Sequence, residues 1–146
     1  MTTIKGYDFP DELYYHPDHA WVRIESDGMA TIGMGDFFQK EAGDIVYVDL
    51  PFEGDRTEAG EVCGKLQSSK WIGKLIAPLT GEIVAVNDQL ESDSTLINKS
   101  PYGDGWIVRI KPSDWESEQS LLMCGAEQVA SWLEKEIARA EAEKKK

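Results

Sequence analysis

The stretch Gly43-Asp44-Ile45-Val46-Tyr47-Val48 is answered 38 residues later by Gly81-Glu82-Ile83-Val84-Ala85-Val86. The register persists beyond the apolar part: Glu53, Asp55 and Thr57 fall on Glu91, Asp93 and Thr95. Each copy reads as a short alternating strand, then a polar, turn-rich stretch, then a second strand, Glu61 to Leu66 in the first copy and Trp106 to Ile110 in the second. A strand with one apolar face must bury it against another layer. Two copies of strand–turn–strand therefore predict a mainly β fold of two packed sheets related by a pseudo-two-fold axis, a flattened barrel or sandwich. Two copies are too few for a solenoid, which needs about three.

The flanks fit around this frame. Alternation in Trp21-Val22-Arg23-Ile24, a turn at Asp27-Gly28 and a second run Ala30 to Met34 predict a hairpin. Asp36 is placed to cap one helical turn through Phe37, Phe38 and Gln39, ended by Gly43. After Pro112 the period changes. Ser113 or Asp114 can cap a helix carrying Trp115, Leu121 and Leu122, and Gly125 breaks it. Val129, Trp132, Leu133, Ile137 and Ala140 then recur at helical spacing, with their apolar stripe expected against the sheet. The terminal EAEKKK is expected to fray. The expected organisation is a single domain over 1–146, with an N-terminal segment at 1–20, a β core at 21–111 and a helical segment at 113–146.

Composition narrows the function. A chain of 146 residues can bury roughly 70% of its unfolded surface, so it needs no disulfide or metal to hold a core. The net charge of −12 repels phosphate backbones and anionic lipid, which argues against nucleic-acid and membrane partners. No apolar run approaches the roughly 18 residues of a membrane span. The N-terminus lacks the apolar stretch of a signal peptide, so a soluble, cytoplasmic protein is expected. Cys63 and Cys124 have neither metal nor disulfide spacing and read as small buried hydrophobes. His16, Asp18 and His19 could make at most a weak metal site, and local hydrogen bonding and packing is the expected use. No catalytic constellation and no metal site is predicted.

Between the two copies lies Gln67-Ser68-Ser69-Lys70-Trp71-Ile72-Gly73, flanked by strand-like residues Val62 to Leu66 and Lys74 to Ala77. This stretch is expected to be a hairpin turn that presents the Lys70 amine. An amine held there can be acylated, which removes its charge and adds a long arm. The domain then supplies position and local concentration to whatever the arm carries.

The chain resembles the glycine cleavage H-protein family over nearly its whole length. The residues that carry the resemblance are Tyr14-Tyr15, His19 to Val22, Gly35 to Gln39, Gly43 to Pro51, Gly60 to Cys63, Ser68-Ser69-Lys70, Ala77 to Asn87, Pro101-Tyr102 and Gly105 to Ile107. The resemblance implies a lipoyl-type barrel and covalent lipoate on Lys70. It also implies Gly81 as a glycine that follows the modified lysine at a set distance and helps present the tip. The implied partners are a lipoate-attaching enzyme, glycine decarboxylase, aminomethyltransferase and dihydrolipoamide dehydrogenase. The protein would be a carrier of an aminomethyl group, not an enzyme.

The tip departs from the family pattern. H proteins typically read Glu-Ser-Val-Lys-Ala where this chain reads Gln67-Ser68-Ser69-Lys70-Trp71. With the long C-terminal helix and mixed-charge tail, this tip looks more like a divergent branch: lipoate-binding proteins of sulfur oxidation that work beside heterodisulfide-reductase-like complexes. That branch is the leading expectation, with true glycine cleavage as the alternative. A biotin carrier would flank its lysine with methionine, which Ser69 and Trp71 do not match. An interaction module with no prosthetic group is the rival class.

Overall fold

The computed structural model describes residues 2–4, 6–10, 13–16, 19–68 and 72–144. Its elements in chain order are β1 (Thr2–Ile4), β2 (Tyr7–Phe9), β3 (Tyr14–Tyr15), β4 (Ala20–Ile24), β5 (Ala30–Met34), α1 (Asp36–Ala42), β6 (Ile45–Asp49) and β7 (Arg56–Thr57). There follow β8 (Val62–Ser68), β9 (Ile72–Ile76), β10 (Gly81–Val86), α2 (Gln89–Ser92), α3 (Leu96–Lys99), β11 (Val108–Pro112), α4 (Trp115–Glu118), a 3-10 turn (Gln119–Leu121) and α5 (Ala126–Lys144).

The repeat divides between two sheets. Strand β6 belongs to a three-stranded sheet of order β6-β8-β9, and β10 to a six-stranded sheet of order β3-β4-β5-β11-β10-β7. Each pairs antiparallel with the second strand of its own copy, β6 with β8 and β10 with β11. Both strands shift register at the same repeat position, between Ile45 and Tyr47 in one and between Ile83 and Ala85 in the other. The bulged residues Val46 and Val84 stand at equivalent places in the two copies. Inner-face residues of both sheets, among them Val48, Leu66, Leu75, Val22, Ile32, Ile83 and Ile110, form one buried cluster. The result is the mainly β, two-sheet sandwich that the repeat predicts.

A second buried cluster covers the outer side of β4. It joins Phe9, Leu13 and Tyr15 of the N-terminal segment to Trp21, Phe37 and the α5 residues Val129 and Leu133. This explains why β5 is buried at every position instead of alternating. The apolar stripe of α5 is thus consumed within the chain, with Trp132 and Ile137 partly buried against the same cluster.

Several expectations change. The segment 1–20 carries three short strands, and β3 is the edge of the six-stranded sheet, bridged to Met123 by reciprocal backbone bonds of 2.8 and 2.7 Å. Asp36 does not cap a helix: Gly35 holds the cap position, and α1 runs two turns. The buried Asp36 carboxylate accepts from the Asp8 backbone N–H at 2.9 Å and the Gln39 amide at 2.7 Å, and pairs with Lys40 at 3.1 Å. No Ser113 or Asp114 side-chain cap bond begins α4. Ser113 instead bonds the Thr80 carbonyl through both its N–H and its hydroxyl. The polar stretch of the second copy contains the one-turn helices α2 and α3, and its second strand begins at Val108.

Candidate functional site

The β8–β9 hairpin is tighter than expected. Gln67 and Ser68 are strand residues, and β9 starts at Ile72, which pairs directly with Gln67. On the other side Gln67 pairs with Tyr47, and Ser68 with Ile45. Gln67 is exposed and Ser68 buried, as strand alternation requires. Ser69, Lys70 and Trp71 lie outside the described residues. They are the three residues that join Ser68 to Ile72.

The base of this connection is held by residues the sequence reading did not single out. Ile45, opposite Ser68, has its N–H bonded to the Asn98 side-chain oxygen at 2.9 Å and its carbonyl bonded by the Ser94 hydroxyl at 2.6 Å. The Asn98 amide also donates to the Gly43 carbonyl at 2.8 Å. A loop of the second repeat copy thereby grips the first strand of the first copy where the hairpin connection begins. A half-buried asparagine after two apolar residues, Leu96-Ile97-Asn98, is the one signal that could have marked it.

Gly81 lies elsewhere. It begins β10, between Thr57 of β7 and Pro112 of β11, and β9 and residues 77–80 separate it from the hairpin connection. It is not among the glycines of positive φ, so a left-handed backbone is not what it supplies. The reason for glycine is closeness. A Cβ at Gly81 would stand 2.1 Å from the Lys111 carbonyl oxygen and 2.8 Å from Ile110 Cγ2.

His19 serves packing. His19 stacks on Phe37 with centroids 5.5 Å apart, tilts against Trp132 at 5.1 Å, and sets Nε2 3.7 Å from a Glu136 oxygen. It is the one non-glycine of positive φ among the described residues, and its carbonyl accepts from Gly35 N–H at 2.9 Å. Asp18 lies outside the described residues, and no group of three or more metal-ligating side chains forms among those described. Cys63 is half-buried, and burial pushes its thiol up to about 11, which disfavours the thiolate. Cys124 is exposed, against expectation. No helix among the described residues is long and apolar enough to cross a membrane.

A two-sheet sandwich built on an internal repeat, with a three-residue hairpin connection between the copies, places the chain in the class of lipoyl-domain-like folds. The family model described as glycine cleavage H-protein matches residues 13–136. A glycine cleavage system H protein of Bacteroides thetaiotaomicron is 44% identical over 115 residues, 79% of this chain and 90% of that one. One from Psychrobacter is 46% identical over 113 residues, 77% of this chain and 90% of the relative. The crystal structure of a glycine cleavage system H protein from Mycobacterium marinum superposes with a TM-score of 0.69 at 36% identity, covering 72% of this chain and 87% of that one. The chain belongs to the glycine cleavage H-protein family.

Proposed function

We propose that the chain is one carrier unit that bears covalent lipoate on Lys70 and serves as the H protein of a glycine cleavage system. The observation that carries this is the family match across residues 13–136, with Lys70 in the connection between the paired strands β8 and β9. The leading expectation from the tip, sulfur oxidation beside a heterodisulfide-reductase-like complex, has no support among these relatives, which carry the glycine cleavage name. The alternative therefore becomes the main reading.

The residues present fit the group. Strand pairing runs up to Gln67 and Ile72, and Ile45 is held on both its polar backbone atoms, so an arm attached at Lys70 starts from a fixed base. When bound, lipoate supplies a dithiolane that can be reduced, loaded and reoxidised. The chain itself has no assigned catalytic group. It orients the attachment point and leaves chemistry to glycine decarboxylase, aminomethyltransferase and dihydrolipoamide dehydrogenase, which act in turn on one tethered group. The double change Gln67→Glu with Trp71→Ala moves the tip towards the typical family pattern. Lipoylated wild type should support glycine-dependent decarboxylase turnover, and the double variant should couple better. A wild type that is lipoylated by mass yet gives no turnover overturns the pathway assignment.

A further inference from the structure

We propose that the outer face of the three-stranded sheet beside the hairpin connection is the docking surface for the enzyme that acylates Lys70, and that this enzyme meets it with an apolar seat flanked by carboxylates. The inference rests on the Lys70 reading above. In the acylation, the neutral Lys70 amine attacks the carbonyl carbon of lipoyl adenylate, made from lipoate and ATP. The C–N bond forms, the C–O bond to AMP breaks, and one proton leaves the nitrogen. Bond formation at Nζ requires the enzyme to touch the strands that flank the lysine. An enzyme that later works on the far end of the arm has no such requirement.

Those strands carry a specific surface. Tyr47, Gln67 and Ile72 are directly opposite one another across β6, β8 and β9 and so project to one face. Tyr47 is 59% exposed and Ile72 69% exposed, and Val46, in the bulge beside them, is 55% exposed. Apolar side chains as large as these, left bare on either side of Gln67, mark a contact surface. Two residues further along the same face stands the row Asp49, Lys65 and Lys74, all exposed. Neither lysine has an ion pair among the described residues. In a chain of net charge −12, this face carries two lysines against one aspartate. The local sign is opposite to that of the whole molecule, so the complement is an apolar surface with carboxylates placed opposite Lys65 and Lys74.

The test is steady-state acylation of the full-length apo chain by a lipoate-attaching ligase with lipoate and ATP, read by intact mass. Tyr47→Ser with Ile72→Ser should raise KM about tenfold with kcat retained. Lys65→Glu with Lys74→Glu should raise KM several-fold, and should abolish the rise of the wild-type KM with salt. Leu121→Ser, at 56% exposure on another part of the surface, is the control and should leave KM unchanged. The charge-reversal pair keeps the apolar row intact, so it reads the surface even if the serine pair loses stability. An acylated wild type with unchanged KM in both pairs, or an equal effect in the Leu121→Ser control, overturns the surface alone. A wild type that takes up no lipoyl group overturns the Lys70 reading and this surface with it.

Discussion

Replacing Gly81 by alanine separates two reasons for a glycine. The added Cβ would sit 2.1 Å from the Lys111 carbonyl oxygen, where a C···O contact normally needs roughly 3.3 Å. The oxygen belongs to the backbone of β11, so no side-chain rotation relieves the overlap; β10 and β11 must separate by about an ångström at Glu82↔Lys111. Overpacking of this kind costs about 1–3 kcal/mol, and one weakened ladder bond adds about 1 kcal/mol. The stiffer unfolded chain offsets about 0.4–1 kcal/mol. The net is a loss of about 2–3 kcal/mol, or roughly 5–10 °C in Tm for a chain of this size. Gly60→Ala is the contrast. Its φ is +89° with nothing within 4 Å of the added carbon, so only backbone strain of about 1–2 kcal/mol applies. Thermal melts of both variants read the difference. Because Gly81 is remote from the hairpin connection, lipoylation of the folded variant should stay within about twofold of wild type. A Gly81→Ala melt within a degree of wild type would refute the packing argument.

Two other outcomes follow from contacts. Burial pushes the Glu136 carboxyl up, but its hydrogen bond and charge interaction with His19, joined by Arg139, outweigh burial and hold it below its ordinary value of 4.5. A carboxyl depressed in the fold contributes fully above that value and loses its contribution as pH falls below it. Helical circular dichroism of wild type should therefore report loosening of α5 on acidification below about 4.5, and Glu136→Gln should remove that step. Asn98→Ala leaves the Ile45 N–H and Gly43 carbonyl without their partner, at a cost of about 1–3 kcal/mol. Hydrogen exchange should rise most at residues 44–48 and 66–68, and Asn98→Asp, which keeps the acceptor but not the donor, should fall between.

Much of the architecture was legible because the repeat is physical. Ile45 and Ile83 hold equivalent places in matching strands, the bulges recur at Val46 and Val84, and the main strand pairs of the two copies, β6–β8 and β10–β11, lie in different sheets. The period change after Pro112 likewise marks the helical end. What stayed hidden depends on partners distant in sequence. Strands of two or three residues, such as Tyr14–Tyr15 and Arg56–Thr57, are too short to show alternation and exist because a neighbouring strand recruits them. Asp36 looks like a cap in sequence, and only the fold reveals Asp8 N–H as its partner 28 residues away. Gly81 was named through the family resemblance for presenting the tip; the closeness of the Lys111 carbonyl, which shows why a glycine stands there, depends on a strand 30 residues away. At the site, the β8–β9 hairpin could be read from the repeat and its flanking strands. The Asn98 and Ser94 grip on Ile45 spans about fifty residues and could not.

The most direct test of the carrier account is mass analysis of the chain isolated from its native cell, intact and after digestion, alongside Lys70→Arg. The account predicts one lipoyl increment on the intact protein, mapped to the peptide containing Lys70. The arginine variant should fold within about 0.5 kcal/mol of wild type, carry no increment and give no glycine-dependent turnover. An unmodified native chain, an increment on another residue, or an arginine variant that still supports turnover would contradict it.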